Sequence, residues 1–409
     1  MNTVPSQKDK RSNSNLKQII LFLSSQNISL FGSSVVSFAI IWHITLQTSS
    51  GKWVMLFTIC ALLPQVFISP WAGVWADRYN RKLLIMLADG FIAAATLGLA
   101  VVFAAGYERL ELLLAVTFVR SIGTGIQVPS VGAMIPQIVS KEKLTKVQGI
   151  NQAMNSVLLL LAPAAGGIVL GTMGIFWVFM LDVVTATIAI AVMSFLHVEK
   201  AIKLENPAPV LVELQRGIGY ALNHKLLKIV LIGFGVSYFL ITPAAVLTPL
   251  FVERTFGGDI WRLTANEMVW TFGSLIGGIF VSLRGEFKDK IYTATVCLVA
   301  FGVLFALLGV ANRFAVFLVI MGLAGFFMPI IATVLTVLIQ ENVEAAMMGR
   351  VFSLVQIVTG ASMPIAILLF GPLADIISIG SILLVSGVLL AVSGIIFREA
   401  VKRGVPTPI

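Results

Sequence analysis

Twelve apolar stretches of about twenty residues or more constrain this chain before any other feature does. They fall at 17–45, 53–76, 83–105, 110–138, 149–171, 174–196, 228–252, 264–283, 291–311, 314–340, 350–373 and 377–397. Hydrocarbon offers no water to an unpaired amide, so stretches of this length are predicted to be helices that satisfy their own backbones. With 58% hydrophobic residues, 11% charged and a mean hydropathy of +0.98, the 409-residue chain stands far from the soluble average. The expected class is an all-α membrane protein with twelve transmembrane helices.

Charge is sorted by side. Twelve crossings return both ends of the chain to one face, where 22 of the 28 Lys and Arg residues fall. The opposite loops hold only Lys52, Arg109, Arg254, Arg262 and Arg313, and Arg120 lies inside a stretch. This asymmetry predicts that both termini are cytoplasmic, and the expected location is a bacterial plasma membrane that the chain crosses many times. The net charge of +9 is therefore a topology signal and gives no reason to expect a nucleic-acid partner.

Other chemistries find little support. The first stretch is longer than a signal-peptide core and shows no clear small-residue cleavage site, so it is expected to stay as a membrane helix. Cys60 and Cys297 both fall inside stretches, which suggests neither a disulfide framework nor a metal site. No phosphate-binding glycine loop occurs, and the longest polar segments, 1–16 and about 198–227, are too short for an ATPase domain. No cofactor is called for, and any pumping would draw on an ion gradient.

Ionisable groups within the stretches are few, and a charge at membrane depth is a functional candidate by default. Arg120 stands about ten residues into the fourth stretch, roughly 15 Å deep at helical rise. Asp182 lies at similar depth in the sixth, so a pair between the two fits. Asp89 lies in the third and Glu267 toward the outer end of the eighth. A carboxylate that alternates between burial and water can load and release a proton. Arg120, Asp182, Glu267 and Asp89 are accordingly the proton-coupling candidates, with an ion pair serving only packing as the alternative for Arg120.

Gln26, Ser29, Ser33 and Ser37 recur at spacings of three and four, a polar stripe that fits a water-filled cavity and a helix-packing seam equally. Gln26, Ser33, Thr124, Gln127, Tyr238, Trp270 and Met328 are the candidate lining of a substrate cavity. Apolar walls with a few polar groups suit a bulky amphipathic substrate. Pro163, Gly166 and Gly167 predict a kinked, closely packed hinge, although an ordinary kinked helix gives the same pattern.

The two halves correspond at an offset of about 200: Gly125 and Pro129 fall on Gly325 and Pro329, Gly149 on Gly349, and Pro163 on Pro364 with one residue of slip. Arg120 meets only Ile320. This pattern predicts two six-helix bundles in parallel repeat. The expected order is a tail at 1–16, a bundle at 17–197, a linker at 198–227, a bundle at 228–398 and a tail at 399–409. The linker past Pro209 suits an amphipathic helix on the membrane face.

Several segments resemble the major facilitator superfamily. Gly73, Asp77, Arg78, Arg81 and Lys82 match the charged loop between its second and third helices, with Trp75 for a Leu and Asn80 for a second Gly. Asn is the ordinary residue most tolerant of a left-handed turn, so that loop geometry is expected to survive. The Arg120 to Gly125 segment resembles the family's fourth-helix motif, in which the Arg is associated with proton coupling. Pro163, Gly166 and Gly167 resemble its antiporter motif, with Ala162 in place of a Gly. The Arg120 to Thr124, Leu181 to Val183 and Gly349 to Ser353 segments are similar to the macrolide-efflux branch of the drug:proton antiporters.

The resemblance implies a non-enzymatic transporter of the major facilitator fold, with a gating role for the five loop residues. It further implies macrolide or multidrug efflux by proton antiport with alternating access. The implied partners are a small hydrophobic or amphipathic substrate, protons and the lipid bilayer, with the chain acting as a monomer. Many such antiporters carry an Asp in the first helix, where Gln26 and Asn27 stand here, so another acid must serve. An exporter or flippase of an endogenous lipid or siderophore on the same fold is the alternative.

Overall fold

Each apolar run becomes a helix in the computed structural model, which describes residues 7–139, 141–196, 219–220, 223–285, 287–343 and 347–404. The helices are α1 (Gln7–Thr48), α2 (Gly51–Arg78), α3 (Arg81–Ala104), α4 (Leu110–Ile138), α5 (Lys141–Thr172), α6 (Ile175–Ser194), α7 (Lys225–Phe256), α8 (Ile260–Arg284), α9 (Lys290–Gly309), α10 (Phe314–Asn342), α11 (Met348–Leu373) and α12 (Ile379–Gly404). Among the described residues eleven are long and apolar enough to cross a membrane. The twelfth, α8, is diluted by Arg262, Asn266 and Glu267.

Several ends depart from expectation. Helices α1, α5 and α12 project past their apolar cores, because the flanking Lys, Arg, Glu and Gln are good helix formers. Only Tyr79 and Asn80 link α2 to α3, so Asp77, Arg78, Arg81 and Lys82 are helix-end residues and not a loop. Asn80 does not take a left-handed turn. At φ −67° and ψ 110° it is extended, and its side chain accepts from the Leu83 amide at 3.3 Å, capping α3. The amphipathic linker helix expected past Pro209 lies almost wholly outside the described residues.

The chain forms two compact units, one of Met1–His43 with Ile59–Asn206, the other of Ile44–Thr58 with Pro207–Ile409. In unit 1, α3 packs on α4 and α6. A buried cluster including Phe22, Ile85, Met134, Ile138 and Met193 closes the end from which α1 and α3 start. In unit 2, α9 packs on α10 and α12, α8 on α10, and α7 on α11 and α12.

Glycine sets how closely the unit 2 helices approach. A Cβ at Gly302 would stand 2.4 Å from the Ala391 amide, and one at Gly309 2.2 Å from the Gly380 carbonyl, so α9 and α12 touch backbone to backbone. The repeat seen in sequence has a structural counterpart. Gly125 of α4 faces the backbone of Gln65 in α2, and Gly325 of α10 faces that of Trp270 in α8.

Unit 2 also contains the corner between α1 and α2. Asp375 accepts from the amides of Gly51 and Lys52 at 2.7 and 3.0 Å, from the Ser50 hydroxyl at 2.9 Å and from Arg254 Nη2 at 2.9 Å. It thus satisfies donors that the start of α2 leaves without helical partners. Burial alone would raise the Asp375 carboxyl, but these four donors outweigh it and hold the group below its ordinary value.

Candidate functional site

Unit 1 assembles a two-layer polar network from four greasy helices. Helix α1 supplies Ser29 and Ser33, α3 supplies Asp89 and Thr96, α4 supplies Arg120 and Gln127, and α6 supplies Asp182. Spacings of four on α1 and seven on α3 and α4 keep each pair on one helix face, one layer above the other. In the first layer the Ser29 hydroxyl and the Gln127 amide nitrogen donate to Asp89 Oδ1 at 2.9 and 2.7 Å. In the second, Ser33 donates to Asp182 Oδ1 at 3.2 Å and Thr96 to Oδ2 at 3.0 Å. Arg120 Nη1 pairs with the same Oδ2 and lies against Thr96 Oγ1.

Close approach makes this layer reachable. A Cβ on Gly32 would fall 1.9 Å from Thr185 Oγ1 and 3.1 Å from the Asp182 Cα, so any larger residue would push α1 off α6 and draw Ser33 away. Asp182 and Thr96 are wholly buried, and Asp89 and Arg120 are exposed by only 3% and 7%. At that burial a lone charge is costly, which makes the partners decisive. Asp182 is neutralised by Arg120. Asp89 receives two neutral donors, and no cation pairs with it among the described residues. Gaining or losing a proton at Asp89 therefore changes the net charge of the network.

The other candidates scatter. Glu267 belongs to unit 2, whereas the network it was grouped with by chemistry alone belongs to unit 1. It shares a cavity of about 100 Å³ with Trp270, among α7, α8, α9 and α10. Gln26 is buried on the α1 stripe with Nε2 lacking a partner among the described residues. The Thr124 hydroxyl closes on the Arg120 carbonyl at 3.1 Å. Tyr238 lies in unit 2 beside Phe234, at 6.3 Å between ring centroids. Met328 is half-buried on α10 and does not line the Glu267 cavity.

At the α2–α3 end, Arg81 donates to the Ala76 and Ala133 carbonyls at 2.8 and 3.0 Å and ties α3 to α2 and α4. Lys82 donates to the Ser194 and Leu196 carbonyls at 2.7 and 2.8 Å, where the end of α6 concentrates negative charge. Arg78 is exposed, and the Asp77 side chain lies outside what the structure describes. A Cβ at Gly73 would meet nothing within 4 Å. Pro163 sits inside α5, with Gly166 and Gly167 buried beside it. A Cβ on Gly166 would stand 3.4 Å from the Val35 carbonyl of α1, so this segment is a site of close packing.

Thr96 is the network member that the sequence reading passed over, because an uncharged hydroxyl in a greasy helix looks unremarkable. Its position seven residues after Asp89, on the same face, was the available signal.

Residues 22–366 match the family model described as Major Facilitator Superfamily. Macrolide efflux protein A of Streptococcus pyogenes is 29% identical over 373 residues, covering 90% of this chain and 92% of that protein. The Staphyloferrin A transporter of Staphylococcus aureus is 21% identical over 367 residues, with 88% and 90% covered. Among solved structures, a bacterial homologue of the iron transporter ferroportin in its inward-facing state superposes with a TM-score of 0.75 at 15% identity, covering 94% of this chain and 99% of that one.

Proposed function

Because the chain belongs to the major facilitator superfamily, and so is a multi-pass membrane transporter and not an enzyme, we propose that it exports bulky amphipathic compounds, macrolides among them, by proton antiport with alternating access. The observation that carries this reading is the buried pairing in unit 1, where Asp182 is balanced by Arg120 and Asp89 has no cation partner among the described residues. Asp89 is the proton carrier, with Ser29 and Gln127 holding its carboxylate. The Arg120–Asp182 pair relays its state across α3, α4 and α6 to α1 through Ser33 and Thr96. Pro163 and Gly166 let α5 move against α1, and Gly73, Asp77, Arg78, Arg81 and Lys82 gate the motion by making and breaking helix-end contacts. Both termini face the cytoplasm, as the placement of 22 Lys and Arg residues supports.

The test is uptake of labelled erythromycin and a set of amphipathic dyes into inverted vesicles, with and without an acid interior. Accumulation is expected only with the gradient, and Asp89→Asn should remove the dependence. Absence of gradient-driven uptake of every compound in wild type would sink the reading. The likeness to the Staphyloferrin A transporter favours siderophore export as the second reading. It would show as uptake of labelled staphyloferrin A with no uptake of macrolides.

A further inference from the structure

Helix α8 carries Glu267 about two turns from its start, in the helix whose polarity sets it apart from the other eleven. Nothing in the network of unit 1 uses it. Its neighbour Asn266 donates to one carboxylate oxygen at 3.3 Å, and among the described residues no basic group pairs with it. The carboxylate borders a cavity of about 100 Å³, and a water needs about 10–15 Å³ on this measure, so the space holds several waters or a small branched group.

The walls are selective in kind. Trp270 lies three residues after Glu267 and therefore on the same helix face, held edge-on against Phe301 with centroids 6.0 Å apart. Thr248 of α7 brings a hydroxyl, Phe305 and Met321 bring apolar surface from α9 and α10, and Ala245 keeps the α7 side small. An unpaired carboxylate, an indole ring and a hydroxyl around a small apolar space are the elements that recognise an alkylammonium ion. The charge pairs with the carboxylate, the ring quadrupole attracts the cation, and the methyl groups fill the rest. A neutral arm in the same space would leave Glu267 without a counter-charge.

We propose that this cavity is a subsite of unit 2 that takes the protonated dialkylamino arm of an amphipathic substrate. The proposal rests on the export reading above and adds the class of compound that is preferred: organic cations with a small ammonium head. Glu267, grouped from sequence with the proton-coupling acids, is here assigned to substrate choice.

Binding, and not transport, is what tests it. Purified full-length protein would be titrated at pH 7 with a dansyl fluorophore bearing a dimethylaminopropyl arm, and with its neutral twin in which isopropyl replaces the protonated dimethylamino group. Wild type should bind the cationic probe at least tenfold more tightly than the twin. That ratio should fall to near one in Glu267→Gln and also in Ala245→Leu, which fills the cavity and leaves the carboxylate in place. Equal affinity for the two probes in wild type would overturn the proposal, as would a preference that survives both substitutions. A protein that shows the preference but fails to accumulate any compound in vesicles would count against export alone.

Discussion

Helix α3 of unit 1 packs on α4 and α6 as α9 of unit 2 packs on α10 and α12, yet the two crossings are held by different chemistry. Where α3 meets α4 and α6, Asp89, Arg120 and Asp182 are buried and hydrogen-bonded. Where α9 meets α12, Gly302 and Gly309 lie on Gly387 and Gly380 with no room for a methyl group. A charge network has more than one protonation state and so more than one arrangement of similar energy. A glycine seam is stable in a single close fit and loses contact if either helix shifts. Repetition thus preserved the scaffold while leaving the two halves free to diverge in what they can respond to.

The largest effect that would sharpen this contrast is expected from Arg120→Leu, which strands Asp182 as a buried unpaired charge. A loss of about 3–5 kcal/mol is expected, read as a lowered melting temperature in detergent. Adding Asp182→Leu should restore most of that stability without restoring gradient-driven uptake. A double variant that transports normally would show that the network is structural only.

Gly302→Val in the seam should cost about 1–3 kcal/mol by forcing α9 from α12. Gly98→Ala, at a position where a Cβ meets nothing within 4 Å, should be neutral or slightly stabilising. Equal melting temperatures for the two variants would break the distinction between close and open glycines. Asp89→Asn should reduce gradient-driven uptake at least tenfold, or about 1.4 kcal/mol, while the melting temperature changes little. A variant of normal driven uptake would move the proton site elsewhere.

The smallest effect concerns Asp375. Its carboxyl is held below the ordinary value of 3.8, so its contribution is complete above that pH and is lost as acid carries the medium through the lowered folded value. Asp375→Asn should cost under about 1 kcal/mol at pH 7 and should flatten the loss of stability seen below about pH 4. An unchanged acid profile would remove Asp375 from the account.

The spans were legible because bilayer thickness fixes how long an apolar run must be. Residues 110–138 were anticipated to the residue, bounded by Arg109 on one side. The ends were not, since Lys, Glu and Gln continue a helix past the membrane as readily as they stop it, and α1 begins at Gln7. The Arg120–Asp182 pair followed from equal depth. Glu267 was joined to it only by sharing a carboxyl group, and its cavity depends on side chains from four helices that no spacing rule brings together. Asn80 was misread for a related reason: tolerance of a left-handed turn does not imply one when the same side chain can cap the next helix.

The cap on α2 has a consequence in time. Gly51 and its partner Asp375 are 324 residues apart. At about 5–20 residues per second, roughly fifteen seconds to a minute of synthesis separates them. Through that interval the amides at the start of α2 must rely on water or lipid headgroups, so this corner is among the last parts of the protein to mature. A ribosome that stalls before Asp375 is made would leave that corner without its cap, whatever has already been inserted.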